Sequence, residues 1–182
     1  EAFMPLACGG GISSVEQIRE LLAIGYEKVV LNSSLVTRPG LLKKAAELFG
    51  SQSIVASIDA IKINKKYQCA IRSGSELIDM APAELAREAE NLGAGEIIIN
   101  SIDKDGTMEG YDIELVRMVA DSVGIPVTAI GGAAGISDLK KVLQDGHAHA
   151  AAAGSMFVFY GRLKAVLITA PTERELIDAG IF

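Results

Sequence analysis

The residues of this chain best placed for chemistry are carboxylates that end apolar runs. Asp59 closes IVASIDA at 54–60, and Asp103 and Asp105 follow the run ending INSI at 99–102. A carboxylate at the end of an otherwise apolar strand suits general acid or base work, and Asp105 is also positioned to contact a substrate. As a helix or loop cap, Asp59 would be structural only. Glycines cluster at similar places: Gly9-Gly10-Gly11, Gly131-Gly132, Gly154 before Ser155, and Gly106 before Thr107. Such glycines let backbone N–H groups approach an anion, and a following helix N-terminus adds favourable partial charge. Tight strand-to-helix turns would require the same glycines. Asn32, Ser33 and Ser34 add amide and hydroxyl donors after KVVL. Gly9, Gly10 and Gly11 with Asn32, Ser33 and Ser34 thus form one candidate phosphate cup. Gly106, Thr107, Gly131, Gly132, Gly154 and Ser155 form a second, with Asp105 beside it.

These residues need elements to hold them. Short apolar runs at 4–8, 28–32, 54–60, 96–100, 126–132 and 150–155 read as strands. Between them lie helical patterns such as VEQIRELLAIG and IELVRMVADSVG, several ended by glycine. The stretch IKINKKYQCAIRSGSELID reads as a long loop. Six strands each followed by a helix predict a parallel sheet with crossover connections.

An internal echo sharpens the expectation. Gly9-Gly10 recurs as Gly131-Gly132 and Ser33 recurs as Ser155, both after 122 residues. Four βα units in such a period predict a TIM (β/α)8 barrel of about 250 residues with two-fold pseudo-symmetry. The glycine-rich opening then corresponds to unit three. Residues 1–182 are expected to form a single partial TIM-barrel domain, six of eight units, with the N-terminal two missing. In such barrels the strand C-terminal ends carry the chemistry. Lys28 and Glu96 open their strands just before the apolar run, so they fall on the opposite rim, as a charged ring or as a surface ion pair.

Bulk properties narrow the function. The chain has 182 residues and a net charge of −6, which argues against a nucleic-acid groove. Mean hydropathy is +0.32, yet no run of about 18 apolar residues occurs, so no membrane segment is expected. Cys8 and Cys69 lack metal-ligand spacing and read as free thiols of a reducing cytoplasm. His147 and His149, two residues apart, make a poor metal site. Neither a metal nor a cofactor is expected.

GGGIS, KVVLNSS, FGSQSIVASIDA, GAGEIIINSIDKDGTMEGYD and IPVTAIGGA together resemble the cyclase subunit of imidazole glycerol phosphate synthase. The resemblance implies a (β/α)8 barrel that receives ammonia from a glutaminase partner. The ammonia splits and cyclises a bisphosphorylated ribonucleotide intermediate. It makes Asp59 one of two catalytic aspartates and Lys28 and Glu96 members of a charged ammonia gate. Glu27 and Gln52 would lie on the N-terminal rim that faces the glutaminase. The second catalytic aspartate belongs to a strand absent from this sequence, so the isolated piece is expected to be inactive.

The sequence also departs from the pattern. Ile130 replaces the usual Ser, Asn100 replaces the usual Thr, and an extra residue between Gly146 and Ser155 predicts a bulge or register change. MPLACGGGI, INSIDKDGTM and FVFYG followed by AVLI look more like a paralogous branch. That branch is associated with acetamidino modification of surface-polysaccharide sugars, alongside a glutaminase-like partner and a sugar amidotransferase. It is the preferred reading, with the histidine-pathway cyclase as the alternative. A non-catalytic phosphate-binding scaffold is the alternative of another class.

Overall fold

The computed structural model describes residues 4–161 and 164–182. The chain opens with β1 (Ala7–Gly9), α1 (Val15–Ile24) and β2 (Lys28–Leu31), followed by α2 (Ser33–Thr37) and α3 (Pro39–Phe49). Next come β3 (Ile54–Ile63), β4 (Lys66–Ile71) and β5 (Glu76–Ile78), then α4 (Pro82–Asn91), β6 (Glu96–Ser101) and α5 (Ile113–Ala120). The remainder is β7 (Val127–Ile130), α6 (Ile136–Gln144), β8 (Ala150–Ala151), α7 (Ser155–Val158), β9 (Phe159–Tyr160), β10 (Ala165–Val166) and α8 (Glu173–Asp178). The strands β1, β2, β3, β6, β7 and β8 pair in that order, all parallel, as one curled sheet. This is the expected part of a (β/α)8 barrel. Among the described residues no helix is long and apolar enough to cross a membrane.

Local signals explain the helix limits. Ser14 caps α1 by accepting from Gln17 N at 3.3 Å, and the Gln17 side chain accepts from Ser14 N at 3.2 Å. Gly25 ends that helix with a left-handed φ of 115°. Pro39 and Pro82 begin α3 and α4, where a missing N–H costs no helical bond. Asp112 caps α5 by accepting from Leu115 N at 3.1 Å.

Side-chain alternation then divides each strand between two faces. Val29, Leu31, Ile54, Ile58, Ile97, Ile99 and Val127 belong to the buried core, with Leu42, Leu115 and Val142 from the helices. On β6 the intervening Glu96, Ile98 and Asn100 are only half-buried and occupy the other, concave face. Register aligns that face in rows. Val55 pairs with Glu96, Ser57 with Ile98, and Asp59 with Asn100, which in turn pairs with Ile130.

The segment expected to be a loop is sheet instead. β3 continues to Ile63 and β4 returns antiparallel, pairing Asp59 with Ala70 and Ile63 with Lys66. Asn64 and Lys65 make the turn, both with positive φ (49° and 67°), as a two-residue hairpin requires. Tyr67 and Cys69, two residues apart, are buried. The outer strands are shorter than expected: β1 starts at Ala7, and β8 stops at Ala151 although Ala152 N still donates to Ala129 O at 2.8 Å. A C-terminal antiparallel hairpin, β9–β10, falls outside the βα pattern.

Ile97 is fully buried where β6 meets its helices. Truncation to Ala leaves a cavity there, so Ile97→Ala should lower unfolding free energy by about 2–5 kcal/mol in urea titration at unchanged m-value. A loss below about 1 kcal/mol would show that this face is not the close-packed core.

Candidate active site

Three cavities follow the concave face from one end to the other. The first, about 470 Å³, lies at the strand C-terminal ends and is lined by Gly9–Ile12, Val30–Ser34, Ser57, Asp59, Arg72 and Ser73. Gly10 and Gly11 have φ of 104° and 67°, and a Cβ on either would meet nothing within 4 Å. Backbone conformation, not crowding, therefore demands glycine there, and the open space is where an anion would sit. The N–H groups of Ser13 and Ser14 already donate to Gln17 Oε1, at 2.8 and 3.2 Å. Gly10 and Gly11 are thus the better backbone donors of this cup, beside the Ser33 hydroxyl, which donates to Asn32 Oδ1 at a long 3.4 Å.

Asp59 projects into the same cavity and is held from both sides. Asn32 Nδ2 donates to Oδ2 at 3.1 Å and Asn100 Nδ2 donates to Oδ1 at 3.0 Å. Asn32 Nδ2 also reaches Ser57 O at 3.1 Å. Two amides from neighbouring strands fix the carboxylate plane, while its remaining lone pairs are left for a ligand. Asn100 Oδ1 is buried without a partner. With Nδ2 committed to a carboxylate, that oxygen must face the other way, against Gly131, where a Cβ would come within 2.9 Å of it.

The second cavity, about 70 Å³, lies at the same strand ends. Asp105, Gly106, Gly131, Gly132, Gly154 and Ser155 all line it, with Met108, Ile130, Ala133 and Ala153. Gly132 admits a close approach: a Cβ there would lie 2.3 Å from Gly110 O, and Gly110 N donates to Gly132 O at 2.8 Å. This contact pins the loop after β6 against the loop after β7. Thr107 does not line the cavity. Its hydroxyl donates to Lys104 O at 2.8 Å and accepts from Glu109 N at 3.3 Å, bracing the loop from within. Asp103 lies outside both cups and accepts from Lys62 N at 2.7 Å.

At the opposite, N-terminal rim a third cavity of about 230 Å³ is lined by Pro5, Leu6, Ala7, Glu27, Lys28, Val55, Glu96 and Ile98. Lys28 Nζ pairs with Glu96 Oε2. Thr128 Oγ1 donates to Glu96 Oε1 at 2.6 Å, so both carboxylate oxygens are engaged. Thr128 had no signal in the sequence, because its role depends on which strand pairs with β6. Gln52 is exposed on this side, its amide against Phe49 O at 3.5 Å.

The hairpin missed in the sequence anchors the loop of the second cup. Tyr67 OH lies 2.8 Å from Asp112 Oδ1 and 3.1 Å from Glu114 Oε2, and Lys62 Nζ lies 2.6 Å from Glu114 Oε2. Burial, with the nearby carboxylates, raises the Tyr67 phenol above its ordinary range, so it stays a donor. Hydrogen bonds from Lys62 and Tyr67 hold Glu114 below the usual carboxylate range. Cys69, buried in the same hairpin, is pushed up to about 12 by desolvation, with Glu84 and Asp59 adding to it. It should therefore resist a thiol reagent at pH 8 while Cys8, half-buried, reacts first, as mass spectrometry of timed samples would show; faster labelling of Cys69 would contradict this packing. Tyr67→Phe keeps the ring and removes the hydroxyl, and should speed hydrogen exchange across 103–112 about threefold to tenfold. Unchanged exchange there would show that the hairpin does not hold the loop.

The family described as "Histidine biosynthesis protein" matches residues 1–164. The Imidazole glycerol phosphate synthase subunit HisF of Chlorobaculum tepidum is 44% identical over 159 residues, 87% of this chain and 63% of that protein. The same subunit of Chlorobaculum parvum is 45% identical over 159 residues, again 87% and 63%. A Pseudomonas aeruginosa protein, provisionally named as subunit hisF2 of that synthase, is 40% identical over 181 residues, 99% of this chain and 72% of its own. The chain thus spans under two thirds of the two Chlorobaculum relatives. With a match over nearly its whole length and a part-barrel sheet to correspond, the chain belongs to the histidine biosynthesis protein family.

Proposed function

We propose that this chain forms the larger part of an ammonia-using cyclase-type barrel subunit, served by a glutaminase partner at its N-terminal rim. One observation carries the reading. Two glycine-lined cavities open at the same ends of the parallel strands, and Asp59 stands on the concave face beside the first. A ligand bearing an anionic group at each end would lie across Asp59, which would act as acid or base on its middle. Lys28, Glu96 and Thr128 occupy the far end of the same face, where ammonia from a partner would have to pass. An apolar, enclosed route keeps ammonia neutral and out of bulk water. The similarity to proteins named as imidazole glycerol phosphate synthase subunits supports a synthase-subunit role.

Of the two branches, the one serving acetamidino modification of surface-polysaccharide sugars is preferred. Asn100 and Ile130, both departures from the usual Thr and Ser, stand on one row with Asp59. Because Ile130 also lines the second cavity, these two replacements bear on the ligand's middle and on the group at one of its ends. The histidine-pathway cyclase is the second reading, favoured by the 44–45% identity to the Chlorobaculum subunits.

The test mixes the full-length protein with its glutaminase, glutamine and substrate. Amidination of a nucleotide-linked acetamido sugar, once the sugar amidotransferase is added, is the expected outcome. Imidazole glycerol phosphate from the bisphosphorylated ribonucleotide would instead assign the histidine branch. In either case Asp59→Asn should cut turnover by about 10²–10⁴-fold with ligand binding retained. Undiminished turnover in Asp59→Asn would leave only the non-catalytic scaffold.

A further inference from the structure

The first cup contains a cation that neither the glycine pattern nor the family resemblance brings forward. Among the residues lining that cavity, Arg72 alone carries a positive charge. It follows β4 in the hairpin, and the antiparallel register that pairs Asp59 with Ala70 carries the chain back over the mouth of the sheet. Arg72 N donates to Ser33 Oγ at 3.0 Å, which ties this backbone directly to a donor of the cup. Arg72 and Ser73 both adopt positive φ (53° and 57°), a conformation uncommon outside glycine and one that turns the chain sharply at this point.

The guanidinium is not committed to a strong partner. Arg72 Nε lies 3.0 Å from Glu76 Oε2, but the two side chains are 67% and 53% exposed. An ion pair this open to water is weak and easily exchanged. A planar guanidinium fork matches two oxygens of a phosphate, and the resulting charge-assisted pair is stronger than the exposed one it replaces.

We infer that Arg72 is a further binding residue of the first cup: its guanidinium leaves Glu76 and clamps a phosphate group seated on Gly10, Gly11 and Ser33. The inference rests on the two-cup reading above and adds a charge to it. Glu76 is then a competitor for the guanidinium when no anion is bound.

The probe is inorganic phosphate, titrated into the full chain and followed by amide NMR shifts at Gly10 and Gly11 for the first cup and Gly106 and Gly154 for the second. Arg72→Gln should raise the phosphate midpoint of the first cup about tenfold and leave the second within twofold. Arg72→Lys should fall between, retaining charge without the fork. Glu76→Gln should lower the first midpoint about twofold to fivefold by freeing the guanidinium. A first-cup midpoint that stays within twofold in Arg72→Gln, with binding intact in the unmutated protein, overturns the role of Arg72 alone. Phosphate binding at neither cup in the unmutated protein overturns the two-cup reading and this inference with it.

Discussion

The parallel register between β3, β6 and β7 is the constraint on which everything else depends. It places Asp59, Asn100 and Ile130 in one row, and it does so only because helices cover one face of the sheet and leave the other open. A slip of one residue in β6 would turn Asn100 towards the helices and bring Ile99 onto the concave face. Ile97 and Ile99 resist that slip, since both are fully buried against the helix layer. The apolar core thus selects the orientation of the polar row, although Ile97 and Ile99 line neither cavity at the mouth.

From that register follow two ends with different chemistry. At the C-terminal ends, glycines at positive φ leave space beside backbone N–H groups, and Asn32 and Asn100 fix the Asp59 carboxylate between strands. At the N-terminal rim a charged pair with a hydroxyl, Lys28–Glu96–Thr128, closes the same face. Separation of a polar mouth from a charged rim by Val30, Val55 and Ile98 gives the concave face a direction. The β3–β4 hairpin adds a third role. It reaches towards the first cup through Arg72 and towards the second through Tyr67, so one excursion of chain touches both.

Much of this was legible in the sequence. The six parallel strands, their order and the grouping of Gly11, Asn32, Ser33 and Asp59 follow from strand-end residues and from the 122-residue echo. The second cup is likewise assembled from residues singled out by type, apart from Thr107, whose hydroxyl turns inward to its own loop. The hairpin was not legible as it stood. Its strand β4 does alternate, Lys66 and Gln68 against Tyr67, Cys69 and Ile71, but the turn is Asn64-Lys65 rather than an Asn-Gly pair, so no turn signal joined that alternation to β3. Arg72 and Thr128 escaped for a different reason. Each gains its role from a partner far along the chain, and no local pattern reports cross-strand neighbours.

The most direct measurement is a crystal structure of the full-length protein with a ligand that carries a phosphate at each end. The account predicts one phosphate against Gly10, Gly11 and Ser33, the other against Gly106, Gly132 and Gly154, and the ligand's middle within hydrogen-bond reach of Asp59. Both phosphates in one cup, or a ligand bound off the concave face with Asp59 untouched, would contradict it.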